Sequence, residues 1–162
     1  MKENIKIVVV YFSATGTIKL LAKYASNILE ADLFEIVSEI PYTKADLAYY
    51  TGGRADQEQD NPNARPMILG NIENMYDYDT IVLGYPIWHG QAPRIINTFL
   101  ESYDFSSKTI IPFCTSHSSG VGSSADSLHA LCSKQTKWKE GTRFSPDTTE
   151  DEMAKWLKTI LK

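Results

Sequence analysis

The 162-residue sequence predicts an α/β protein built on a doubly wound, five-stranded parallel sheet. Three observations carry that reading. Short β-branched runs recur along the chain and are apolar nearly throughout, as in strands covered on both faces. Segments with helical spacing separate them, so strand and helix alternate. Unusual loops rich in Ser, Thr, Gly or Pro follow three of the strands. Right-handed crossovers would bring those loops to one edge of the sheet, where ligands bind in such folds.

The elements follow in order. Ile5 to Phe12 (IKIVVVYF) is the first strand, and Ser13-Ala14-Thr15-Gly16-Thr17 is a hydroxyl-rich turn. A helix follows, with apolar residues at 18, 21, 22 and 25. Ala31 to Val37 is the second strand, stopped by Pro41. Tyr42 to Pro66 is polar and lacks a clear element beyond a possible helical turn at 43–47; segments this long often carry function. Pro66 to Tyr76 is assigned to a short helix. Asp79 to Gly84 is the third strand, and it runs into a loop with two prolines and Trp88, an aromatic of exposed type. Pro93 starts a helix over 94–100. Lys108 to Thr115 is the fourth strand, followed by a Ser/Gly loop and a helix over Ala125 to Lys134 with Leu128 and Leu131 inward. Thr142 to Phe144 offers a brief fifth strand. Ser145-Pro146-Asp147 starts the last helix, lined by Met153, Trp156, Leu157, Ile160 and Leu161. Residues 1–162 read as one domain.

Composition narrows the function. A net charge of −4 with no Lys/Arg cluster argues against nucleic acid. No apolar run approaches membrane-spanning length, and the N-terminus does not resemble a signal peptide. The two cysteines, Cys114 and Cys132, form neither a disulfide framework nor a metal motif. A reducing cytoplasm is the simplest compartment.

The chemistry lies in the three loops. A strand, a hydroxyl-rich turn and a helix start make an anion site, because the first helical N–H groups lack internal partners and carry partial positive charge. The same residues also read as a plain helix cap. No Lys or Arg lies in any of the three loops, so a phosphate there would be held by N–H groups and hydroxyls. Rival sites on this architecture fail on their residues. The first loop lacks both G-x-x-x-x-G-K-[ST] and G-x-G-x-x-G. No Arg follows Cys114 in its loop, as a cysteine phosphatase needs, and the first and third strands do not end in Asp, as a phospho-acceptor regulator needs.

Taken together the loops resemble those of the flavodoxin-like family. Gly84-Tyr85-Pro86-Ile87-Trp88-His89-Gly90 resembles the G-x-P-I-W-x-G loop of small flavodoxins. Ser13-Ala14-Thr15-Gly16-Thr17-Ile18 resembles the S/T-x-T-G-x-T phosphate motif, with Ile18 in place of the last hydroxyl. Cys114 to Gly122 resembles the third wall, T-S-x-x-S-G-x-G.

The resemblance implies sheet order 2-1-3-4-5 and FMN at the switch point between the first and third strands. It implies that Ser13, Ala14, Thr15, Gly16 and Thr17 hold the phosphate. It implies that Trp88 stacks on the flavin ring. The loops Tyr85, Pro86, Ile87, Trp88, His89, Gly90 and Thr115, Ser116, His117, Ser118, Ser119, Gly120 would then meet the ring's polar edge. His89 and His117 each read equally as ring contact or surface. Arg54 and Glu58 read equally as an ion pair or as flavin neighbours.

The implied function is that of a low-potential electron-transfer protein passing electrons between redox protein partners, a reductase and an acceptor. Acidic residues such as Asp56, Glu58, Asp60, Glu150, Asp151 and Glu152 would steer basic partners. The alternative is an FMN-dependent NAD(P)H:quinone-type oxidoreductase acting on a small-molecule acceptor, with Tyr42–Pro66 building its pocket.

Overall fold

A computed structural model describes residues 6–13, 16–47, 52–88, 91–115 and 127–161. Four strands form the body of the sheet: β1 (Ile7–Tyr11), β2 (Asp32–Glu35), β3 (Thr80–Pro86) and β4 (Thr109–Thr115). Two short strands complete it, β5 (Lys137–Trp138) and β6 (Thr142–Phe144). The order is β2-β1-β3-β4-β5, all parallel, with β6 also on β4. This is the expected order 2-1-3-4-5. The sixth strand arises because the last position is shared. β5 pairs with Thr109 and Ile110 at the start of β4, and β6 pairs with Phe113 to Thr115 at its end.

The sequences of β1, β3 and β4 are apolar nearly throughout because both of their faces are covered. Val8 and Val10 enter one core cluster, and Val9 and Tyr11 enter the other. The period-two alternation is present but separates two interiors rather than core from water. One face carries α1 (Thr17–Leu29), and the opposite face α2 (Lys44–Leu47), α3 (Arg54–Asp60) and α4 (Arg94–Glu101). The last helix, α5 (Glu150–Ile160), packs beside α1 through Met153 and Leu157. Each fully buried Leu, Ile or Phe in these clusters stabilises by about 1.5–3 kcal/mol.

Gly84 lets β3 and β4 approach. It lies opposite Phe113, and a Cβ there would sit 2.4 Å from the Phe113 ring. Only a hydrogen fits.

Three expectations are corrected. Pro66 to Tyr76 is not a helix. Ile68 forms an antiparallel bridge with Ser38, flanked by hydrogen bonds from Glu39 N to Met67 O (2.8 Å) and from Leu69 N to Val37 O (2.7 Å). Met67 and Leu69 face water while Ile68 packs on the core, a period of two. Pro66 and Gly70, the latter at φ +78°, bracket this extended piece, and only a 3₁₀ turn at Met75–Asp77 follows. In the segment Tyr42–Pro66 the helical turn expected at 43–47 is α2, and a second helix, α3, was not expected. Of the expected helix Ala125–Lys134, residues 127–129 are helical, the chain turns directly after them, and 125–126 lie outside the described residues. Among the described residues, no helix is long and apolar enough to cross a membrane.

Candidate functional site

The strands end together. Tyr11 is level with Gly84, and Pro86 is level with Thr115. Phe12 N donates to Gly84 O at 3.0 Å, and Ile87 N donates to Thr115 O at 3.0 Å, so the register persists past the strands. The three loops singled out from sequence therefore leave one edge of the sheet.

At the end of β1, the Ser13 hydroxyl accepts a hydrogen bond from Gly16 N at 3.0 Å. Its own hydrogen is free to donate elsewhere. Gly16 is the N-cap of α1, with φ 95°, a left-handed conformation that favours glycine. It supplies no side chain to the helix start, and the first turn contains no acid. Thr17 opens the helix and is half-buried. Ile18 is 2% exposed and packs in the core cluster with Leu21 and Ala22. Its departure from the family pattern therefore falls on an inward-facing position. Ala14 and Thr15 lie outside the described residues.

At the end of β3, Trp88 departs from expectation. It is 5% exposed, not an exposed-type aromatic. Its indole meets Phe12 and Tyr42 edge-on, with centroids 5.7 and 5.5 Å away, and Phe12 and Tyr42 are themselves 5.7 Å apart. The three rings form a closed triangle of edge-to-face contacts, the arrangement their quadrupoles favour. Trp88 N donates to Gln91 O at 2.7 Å and Gln91 N donates to Trp88 O at 3.1 Å, so the two residues pair across His89 and Gly90. Tyr85 and Ile87 are buried and Pro86 is half-buried. His89 and Gly90 lie outside the described residues, as do Ser116, His117, Ser118, Ser119 and Gly120 of the third loop. Thr115, half-buried, closes β4.

The aromatic triangle is backed by charge. Tyr42 Oη donates to Glu58 Oε1 at 2.5 Å, and Glu58 Oε2 accepts from Arg54 Nε at 2.9 Å. Arg54 also donates to Ser38 Oγ and Ile40 O, and its guanidinium lies over the Tyr42 ring at 3.9 Å. Arg54 and Glu58 thus form an ion pair, and a partly buried one. Burial, reinforced by the bond to Glu58, raises the Tyr42 hydroxyl well above the ordinary tyrosine range, so it stays a donor. Asp56 is buried and Gly52 N donates to its Oδ2 at 3.1 Å, which removes it from the set of steering surface acids.

Sequence reasoning missed two residues. Gln59, 8% exposed, donates from Nε2 to Trp88 O (2.9 Å) and Ala92 O (3.2 Å) and accepts at Oε1 from Arg94 N (3.2 Å). Arg94, also 8% exposed, donates from Nη2 to Gln59 O (2.8 Å) and from Nε to Glu58 O (3.2 Å). These carbonyls are the C-terminal end of α3, where a cation is favoured. No motif flags either residue; the only signal was a Gln and an Arg flanking otherwise ordinary polar sequence.

Cys114 is buried, and burial pushes its thiol up to about 12, so it is a packing residue and not a nucleophile. Cys132 is raised to about 11 for the same reason. His129 is on the surface, its ring tilted by 39° against that of Trp138 with centroids 4.4 Å apart. Among the described residues, no cluster of His, Cys, Asp or Glu is placed to hold a metal.

The donor set fits a flavin phosphate ester. Among the described residues it offers a helix start capped by a glycine without a side chain, the hydroxyls of Ser13 and Thr17, no competing acid in the first turn, and an aromatic cluster at the same sheet edge.

The chain is similar to several solved flavoproteins. A candidate flavoprotein from Bacteroides eggerthii is 41% identical, with a TM-score of 0.90, covering 98% of this chain and 99% of that one. A second, from Bacteroides uniformis, is 36% identical, with a TM-score of 0.90 and coverage of 96% and 99%. A flavoprotein from Lactobacillus acidophilus, solved in complex with FMN, shares the fold at 23% identity, with a TM-score of 0.67 over 98% and 100% of the chains. The flavodoxin family profile matches residues 6–160, nearly the whole described chain, and the protein belongs to that family.

Proposed function

We propose that this chain is an FMN-binding flavodoxin, one domain over residues 1–162, acting in the cytoplasm as a low-potential electron-transfer protein between a reductase and an acceptor. The observation that carries the reading is the start of α1, open to an anion and set at the same sheet edge as the Trp88 turn. The Lactobacillus acidophilus neighbour, crystallised with FMN, supports the choice of flavin.

In this reading Ser13 to Thr17 hold the phosphate through hydroxyls and N–H groups, without a basic side chain. Backbone groups of Tyr85–Gly90 and Thr115–Gly120 meet the polar edge of the ring, and Trp88 provides the aromatic wall. FMN supplies the electron transfer when bound; the protein binds it, orients it and limits water around it. The oxidoreductase reading needs room beside the ring. Within the described part of the segment proposed to make that room, α3 packs onto the Trp88 turn through Gln59, which favours the carrier.

The test is an anaerobic reductive titration of the FMN-loaded protein followed by visible absorbance. The expected result is no reduction by NAD(P)H and stepwise one-electron reduction by a chemical reductant. Direct two-electron bleaching by NAD(P)H would replace the carrier with the oxidoreductase. Failure to take up FMN would remove the flavin assignment altogether.

A further inference from the structure

We infer that Gln59 is a positioning residue for the flavin-ring side of the site, acting through the turn that Trp88 and Gln91 close. The inference rests on the flavin reading above.

The geometry is that of a clamp. Trp88 O accepts two hydrogen bonds, one from Gln91 N within the turn (3.1 Å) and one from Gln59 Nε2 outside it (2.9 Å). Both lone pairs of that carbonyl are thereby used. The same Gln59 amide nitrogen reaches Ala92 O at 3.2 Å, on the far side of the turn. Gln59 Oε1 accepts from Arg94 N at 3.2 Å, where α4 begins. One buried side chain thus fixes both legs of the turn and the helix start that follows it.

Gln59 is itself held. Arg94 returns across the interface to Gln59 O and Glu58 O, and its Nη1 approaches Gln91 Oε1 at 3.4 Å. The ion pair Arg54–Glu58 and the bond from Tyr42 to Glu58 fix the other side of α3. A seven-residue helix with only Ala55 as a buried apolar residue would not hold its place by hydrophobic contact alone. Polar bonds anchor it, and their common endpoint is the Trp88 turn. A buried amide that spends three hydrogen bonds on another segment is costly unless all partners stay in place, so the turn inherits the rigidity of the network.

Among the described residues, the Gln59 side chain bonds to the Trp88 turn and the start of α4 and to nothing of the first loop. Its loss should therefore weaken FMN and riboflavin alike, whereas a phosphate-loop residue discriminates between them.

The experiment is Gln59→Met, which keeps length and removes every side-chain hydrogen bond, measured by amide hydrogen exchange in the flavin-free protein and by flavin titration. The expected result is exchange about tenfold faster at the Trp88 and Gln91 amides, with FMN and riboflavin each weakened by about tenfold, the scale of one good hydrogen bond to a buried acceptor. If Gln59→Met fails to fold, Arg94→Lys, which keeps the charge and loses the fork, is held to the same pattern and decides the question. Unchanged exchange at those amides overturns the clamp. So does a loss of FMN affinity that spares riboflavin, or unchanged affinity for both. A wild-type protein that binds neither flavin overturns the proposed function instead, and is told apart by that control.

Discussion

Two helices of this protein begin in opposite ways. The N-terminus of α5 is closed on itself. Thr149 Oγ1 accepts from Glu152 N (3.2 Å), Glu152 Oε1 accepts from Thr149 N (2.9 Å), and Glu150, Asp151 and Glu152 supply negative charge to the first turn. This is a capping box with its dipole already answered. The N-terminus of α1 shares only one of these parts, the Ser13 hydroxyl that accepts from the N–H of its cap residue (3.0 Å). That cap is a left-handed glycine with no side chain to offer the first helical N–H groups, and the first turn holds no acid. One helix start is finished for stability. The other leaves its partial positive charge for something outside the chain, and it lies at the edge where the site is proposed.

The largest effect should come from making α1 resemble α5. Thr17→Glu puts an acid in the first turn of α1. It should weaken FMN by about 100-fold through repulsion of the phosphate, since like charges a few ångström apart at a protein surface cost a few kcal/mol. Riboflavin affinity should hardly change, and the flavin-free protein should be no less stable by thermal melting. Parallel losses for the two flavins would mean that the phosphate lies elsewhere. Next, Thr15→Ala and Ser13→Ala should each weaken FMN by about tenfold while sparing riboflavin, as expected for a hydroxyl donating to a charged group. Isothermal titration with both ligands reads this directly. At α5 the outcome should invert. Thr149→Ala should cost about 1 kcal/mol in denaturant unfolding and leave FMN affinity unchanged. The smallest change is Glu150→Gln, worth about 0.3–1 kcal/mol at low salt and less in high salt. An FMN effect from either α5 variant would break the contrast between the two ends.

The sequence was most readable where burial is apolar and continuous. The runs at 7–11, 80–86 and 109–115 are strands covered on two faces, and hydropathy alone marks them. It was least readable where polar bonds do the fixing. Residues 54–60, RADQEQD, show no apolar stripe, yet they form α3 because Arg54, Asp56, Glu58 and Gln59 all find partners. Trp88 is hidden from sequence for a related reason. Its neighbours in the chain are a loop's prolines and glycine, while the two aromatics that enclose it, Phe12 and Tyr42, are distant in sequence. The extended piece around Ile68 was hidden because its alternation is short and its partner, Ser38, lies thirty residues away. Of the proposed site, the phosphate turn and the Trp88 turn were legible as motifs. The clamp that holds the second of them was not.

Phe113 and Gly84 give the G-Y-P-I-W run a second meaning. The aromatic ring fills the space that any larger residue at 84 would need, so the first letter of that signature answers to the neighbouring strand. The later letters answer to the loop. A pattern search that scores the run as one unit mixes a steric demand of the interior with a demand of the binding edge. A chain that had lost its cofactor altogether would still have reason to keep the glycine.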